Sequence, residues 1–147
     1  MFDFKPVAGR ANTYTVVNQR SGKCLGVSGA STAVDAAVIQ YTCNGATNQM
    51  YALNPVTALG SNKDYQLVAV HSGKCVDVSE ISTAPGAKIH QWTCDSASAL
   101  NNKKNQVWRL QGKGCDQRSF HRGSRPHQGA PMGRRLPVPG RRGSRTR

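Results

Sequence analysis

The residues of this chain best able to do chemistry lie between positions 71 and 94: His71, Cys75, Asp77, Glu80, His90, Trp92 and Cys94. Asp77 and Glu80 are the one close acidic pair there. A retaining glycosidase needs two carboxylates about 5–5.5 Å apart, and an inverting one needs more separation. Only six acids occupy residues 1–110, and the loop between Asp77 and Glu80 fixes no distance. His71, His90 and Asp77 place no base beside a serine nucleophile. Catalysis is therefore not expected.

The five cysteines are more orderly. No two have the two- to four-residue gap of a zinc site, and nothing in the pattern asks for a cofactor. Cys24 and Cys43 have the same 19-residue separation as Cys75 and Cys94. That identity favours two disulfides over buried free thiols, and disulfides belong to an oxidising compartment. A bridge closing such a loop contributes roughly 3 kcal/mol in the chain-entropy picture. Cys115 is left over and receives no structural role.

The matching pairs belong to a longer repeat that has to position these groups. "SGKCLGVSGASTAVDAAVIQYTC" (21–43) recurs as "SGKCVDVSEISTAPGAKIHQWTC" (72–94), and at a shift of 51 half the positions from Tyr14 to Cys43 are identical. Stretches such as "TYTVVN", "YQLVAV" and "AKIHQWTC" mix β-branched and aromatic residues between Gly, Ser, Asn and Pro, the pattern of short strands. No window carries an apolar series long enough to expect a helix. Each unit holds four strands. The first is Tyr14–Asn18 or Tyr65–Val70, the second lies at Cys24 or Cys75, the third ends at Cys43 or Cys94, and the fourth begins at "NQMYAL" or "NQVWRL".

"MFDFKPV" (1–7) aligns with "MYALNPV" (50–56), so an additional fourth strand precedes two complete units, 14–56 and 65–111. No Ser-Gly-Lys-Cys recurs after residue 111. Repeats of this kind close their core against neighbours. The expectation is an all-β structure lacking part of a third unit, with unpaired edges that invite self-association.

The net charge of +13 divides unevenly. Residues 1–110 carry ten Lys/Arg against six acids, or +4; residues 111–147 carry ten against Asp116, or +9. The stretch 112–147 also holds seven of the fifteen glycines and four of the seven prolines, so it is expected to be disordered. Its nine arginines would bind nucleic acid or other polyanions without specificity, since Phe120 is its only aromatic. Its abrupt start, where a third unit is due, also fits an out-of-frame translation of GC-rich DNA. "MFDFKPVAGR" shows neither the basic nor the apolar region of a secretory signal, and no apolar run reaches membrane-spanning length.

The sequence "SGKCVDV…GAKIHQWTC…KNQVW" resembles a repeat of the ricin B-type lectins, also grouped as family-13 carbohydrate-binding modules. The resemblance covers residues 1–111. It implies a β-trefoil with pseudo-threefold symmetry, a shallow sugar site on each repeat, no catalysis, and secretion. A sugar ring needs an aromatic plate for its C–H face, and a carboxylate with amides for its hydroxyls. The family pattern puts Asp77 as hydroxyl acceptor and Trp92 as plate, with amides from Asn105 and Gln106, and His90 where a polar amide is common. In the first repeat Gly26 replaces the aspartate and Ile39 the histidine. Tyr41, Asn48 and Gln49 remain there, giving a weaker second site.

Gln-x-Trp is mainly structural in this reading, with Trp108 and Tyr51 filling the barrel, and Asn105 divides between ligand contact and loop-fixing bonds. Lys23, Lys74, Gln40 and Gln91 recur in both copies, which suits structural duty. The insertion "SALNNKK" either rims the site or is solvated. The resemblance implies a galactose- or xylose-type glycan partner and an extracellular setting. The alternative is a non-functional truncated module with a polyanion-binding tail.

Overall fold

The computed structural model describes residues 1–112. The expected disordered tail, Cys115, polyanion binding and the out-of-frame reading all lie outside the described residues. Nine strands build a single sheet: β1 Phe2–Pro6, β2 Thr13–Asn18, β3 Cys24–Val27, β4 Val38–Tyr41, β5 Met50–Pro55, β6 Asp64–Ala69, β7 Cys75–Val78, β8 Ile89–Trp92 and β9 Trp108–Arg109. All pairings are antiparallel.

The two first strands organise the fold. β2 pairs with β1 (Phe4↔Val16), β5 (Tyr14↔Tyr51) and the start of β3 (Val17↔Cys24). β6 repeats this with β5 (Leu53↔Leu67), β9 (Tyr65↔Trp108) and β7 (Val68↔Cys75). A wall therefore runs β1–β2–β5–β6–β9, with hairpins β3–β4 and β7–β8 attached to its first strands. β1, β5 and β9 are the three fourth strands expected from the echo of "MFDFKPV" in "MYALNPV". Among the described residues the outer edges of β1 and β9 have no strand partner.

The repeated Ser-Gly-Lys makes the turn into each hairpin. Gly22 (φ 68°) and Gly73 (φ 67°) hold the left-handed conformation that only glycine adopts without strain. Ser72 Oγ accepts from the Lys74 N–H at 3.2 Å and donates to Gln91 Oε1 at 2.7 Å; Ser21, Lys23 and Gln40 repeat both bonds. These recurring residues have structural duty. Cys24–Cys43 and Cys75–Cys94 are disulfides, each with a Cα–Cα distance of 5.0 Å, so each hairpin is closed covalently.

Inward residues of β2, β3, β5, β6 and β7 form the core: Val16, Val27, Tyr51, Leu67, Ala69 and Val76. Burying each large aliphatic side chain stabilises by about 1.5–3 kcal/mol. Tyr51 fills the centre at 1% exposure. Trp108 is only partly buried, because it borders an apolar opening of about 460 Å³ that is also lined by Phe2, Phe4, Leu67 and Val76.

The expectation of no helix is corrected at α1, Ala97–Lys103, within the "SALNNKK" insertion. Leu100 is its one buried residue, so it has no apolar periodicity to read. Alanines favour the helix, and Lys104 ends it in the left-handed conformation (φ 58°).

Candidate functional site

Hairpin register assembles the second repeat's site. Asp77 on β7 lies directly opposite His90 on β8. Trp92 stands two residues beyond His90, on the same face. The two rings stack, with centroids 5.4 Å apart and planes 24° from parallel. Asn105 arrives just before β9, and its carbonyl accepts from the Val78 N–H at 3.0 Å.

Asp77 is 3% exposed, and a buried carboxylate must be well paired. It accepts from Asn105 Nδ2 on both oxygens (3.0 and 3.0 Å), from Gln106 Nε2 (2.8 Å), and meets His90 Nε2 at 3.1 Å. Gln106 is fully buried; its amide also donates to Thr93 O (2.9 Å) and accepts from the Asp95 N–H (2.8 Å). His90, 4% exposed, uses its other nitrogen on Asp35 Oδ1 at 2.6 Å. Both ring nitrogens are engaged by carboxylates. His90 and Gln106 hold Asp77 in place. Among the described residues, Asn105 Oδ1 is buried without a hydrogen-bond partner.

An open cleft of about 450 Å³ lies over this group, bounded by Asp77, His90, Trp92, Asn105, Asp35, Ser79, Glu80, Ile81, Asp95 and Lys103. Trp92 is 42% exposed and Ile81 48%. Glu80 (φ 57°) and Ile81 (φ 56°) occupy left-handed backbone, a strained choice for a β-branched residue. Asp35 comes from the first repeat. Hydrogen bonds from Lys88, then from His90, hold its carboxyl below the usual range, so it stays ionised. Lys103, from α1, places the insertion at the rim, 3.9 Å from Asp95.

The first repeat has a comparable hollow of about 470 Å³, bounded by Gly26, Ile39, Tyr41, Asn44, Asn48 and Gln49 among others. Gln49 donates to Thr42 O (2.9 Å) and Asn48 to Val27 O (3.0 Å), matching Gln106 on Thr93 and Asn105 on Val78. The amides thus keep their places without a carboxylate. Tyr41 is 60% exposed.

The structure brings together Asp77, His90, Trp92, Asn105 and Gln106, all named from sequence. Asp35, Ile81, Asp95 and Lys103 were missed. Two of them carried a signal, because the copies differ there: Gly29-Ala30 against Glu80-Ile81, and Asp35 against Gly86.

Comparisons with known proteins bear on the family and the fold. The family model for ricin-type β-trefoil lectin domain-like sequences matches residues 1–92 and 58–121. No curated relative matches the sequence. Among solved structures, the chain is similar to the designed three-fold symmetric protein ThreeFoil, with 37% identity over 73% of this chain and 69% of that one (TM-score 0.61). It is also similar to the exo-β-1,3-galactanase 1,3Gal43A from Clostridium thermocellum, with 30% identity over 74% of this chain (TM-score 0.62). The Polyporus squamosus lectin, solved with Neu5Acα2-6Galβ1-4GlcNAc, shares the fold at 22% identity over 73% of this chain (TM-score 0.58). The chain spans 21% of the galactanase and 34% of the lectin. With its pseudo-repeated strand ladder, twin disulfide hairpins and family-model match, the chain belongs to the ricin-type β-trefoil lectin-like family.

Proposed function

We propose that this chain is a non-catalytic carbohydrate-binding module whose working site is the cleft of the second repeat. The observation that carries this is one constellation: an exposed Trp92 beside a fully organised Asp77, opening to a cleft of about 450 Å³, roomy enough for a sugar unit. Stacking on His90 fixes the indole plane, so an apolar sugar face meets a preorganised plate. Asp77 at the floor accepts from ring hydroxyls, and the unpartnered Asn105 Oδ1 takes another. The first repeat, with Tyr41, Asn48 and Gln49 but no carboxylate, forms the weaker site.

The likeness to a β-1,3-galactanase favours a galactose-type glycan, with a xylose-type glycan as the competing ligand. Hydrolysis needs a carboxyl kept protonated as the acid. Asp77 instead takes four donor contacts from neighbouring side chains and Asp35 is held ionised, an arrangement suited to binding. Two disulfides favour an extracellular setting.

A glycan array on the oxidised protein tests this, with Trp92→Ala alongside at physiological and high salt. The expected result is salt-resistant binding to one glycan class that Trp92→Ala abolishes. Binding only to acidic glycans at low salt would refute the reading.

A further inference from the structure

One carboxylate of the cleft, Asp35, comes from the other repeat and keeps an oxygen open to accept. Asp77 is buried and takes four donor contacts. The Asp35 side chain is 59% exposed, and Lys88 Nζ (2.7 Å) and His90 Nδ1 (2.6 Å) both meet its Oδ1. Among the described residues no hydrogen bond reaches its Oδ2. We propose that Asp35 is a sugar-contacting, specificity-determining residue of the second repeat's cleft, its Oδ2 accepting from a ligand hydroxyl. The proposal rests on reading that cleft as a sugar site.

Two further observations support it. The loop carrying Asp35 is built onto β8: the Asp35 N–H donates to Gln91 O (2.9 Å) and the Gln91 N–H to Ala36 O (2.9 Å). Gln91 Nε2 also donates to Ser31 O (2.8 Å) and Ala33 O (2.7 Å). Asp35 is therefore fixed relative to Trp92 and Asp77 before any ligand arrives, which lowers the ordering cost of binding. In addition, Asp35 adopts left-handed backbone (φ 67°), while its counterpart in the second repeat is Gly86 (φ 83°). Aspartate is one of the few residues besides glycine that enters this backbone region readily, so the position admits a carboxylate without disturbing the loop.

The ligand class follows from the cleft's charges. Asp35, Glu80 and Asp95 flank it with Lys103 as the one lysine on its lining. A neutral, hydroxyl-rich sugar fits that field, and a uronic or sialic acid unit is repelled.

The test titrates methyl β-D-galactopyranoside, methyl β-D-xylopyranoside and their monodeoxy derivatives, observed by NMR. The proteins are wild type, Asp35→Gly, Asp35→Asn and Trp92→Ala. Asp35→Gly should keep the wild-type fold and bind the parent sugar about tenfold more weakly, the loss of one hydrogen bond to a charged group. Asp35→Asn should lose part of that factor. One monodeoxy sugar should bind wild type and Asp35→Gly alike, identifying the hydroxyl that Asp35 receives.

Unchanged affinity in Asp35→Gly while Trp92→Ala loses binding overturns the inference and leaves the sugar site standing. An equal loss across every monodeoxy sugar also overturns it, because the effect then passes through His90. If wild type binds none of the sugars, the sugar-site reading falls and takes the inference with it.

Discussion

Replacing Asp77 by alanine separates what holds the second repeat together from what binds. Four donor contacts end on this buried carboxylate, and stranding a buried charge costs about 3–5 kcal/mol. The structure argues for less. Without Asp77, Gln106 keeps Thr93 O at 2.9 Å, Asn105 keeps Val78 O at 3.3 Å, and His90 keeps Asp35 on its other nitrogen. One buried group, His90 Nε2, loses its partner, which costs about 1–3 kcal/mol. The first repeat is the internal control: with Gly26 in that place, Gln49 and Asn48 hold the matching carbonyls. At about 4–8 °C per kcal/mol for a domain near this size, the melting temperature should fall by roughly 10 °C. Calorimetry on the oxidised protein measures this, and titration with the parent sugar should show affinity reduced at least about tenfold, a hydrogen bond to charge being removed. A chain that no longer folds would refute the accounting of the remaining partners. Unchanged affinity would refute Asp77's place in the site.

Gly26→Asp should raise sugar stoichiometry from one to two by supplying the first repeat's missing carboxylate. Its Cβ would sit 3.0 Å from Gln49 Cγ, so Gln49 must shift by a few tenths of an ångström. A stoichiometry that stays at one would show that Ile39, in place of His90, also disables this site. Converting Cys75 and Cys94 to serine should lower unfolding free energy by about 3 kcal/mol in denaturant titration, and no change would mean the bridge constrains nothing. Asp35 and Asp64 are held below the ordinary aspartate value of 3.8, Asp64 by the Arg109 guanidinium. Their contribution is therefore full above that value and lost as pH falls through the lowered ones. Melting temperature should drop in that acidic window, less steeply in Arg109→Gln; an identical slope would exclude the Asp64–Arg109 pair as a source. Among the described residues the edges of β1 and β9 have no strand partner and flank apolar surface that includes Phe2, 46% exposed, so a second copy should cover it. Sedimentation velocity should show mass rising with concentration and Phe2→Lys suppressing it; a concentration-independent monomer in wild type would refute this.

The sequence by itself determined the repeat, its strands, its disulfides and the grouping of Asp77, His90, Trp92, Asn105 and Gln106. Those features are local or periodic. Alternation writes the strands, Ser-Gly-Lys writes the turns through Gly22 and Gly73, and equal spacing writes Cys24–Cys43 and Cys75–Cys94. The difference between Gly26 and Asp77 was equally plain, because comparing two copies needs no coordinates. Helix α1 was not legible, since a single buried residue, Leu100, leaves no period to detect.

Tertiary structure alone decided how the side chains divide their work. His90 and Asp77 could be named together, but their mutual burial depends on the register that sets β7 against β8. Asp35 lies 42 residues before Asp77 in the chain and reaches its cleft only because residues 31–37 pair with the neighbouring repeat's β8. A contact between repeats leaves no period and no spacing in either one. It exists when the sheet brings the two hairpins side by side, and there Asp35 is placed with an open oxygen.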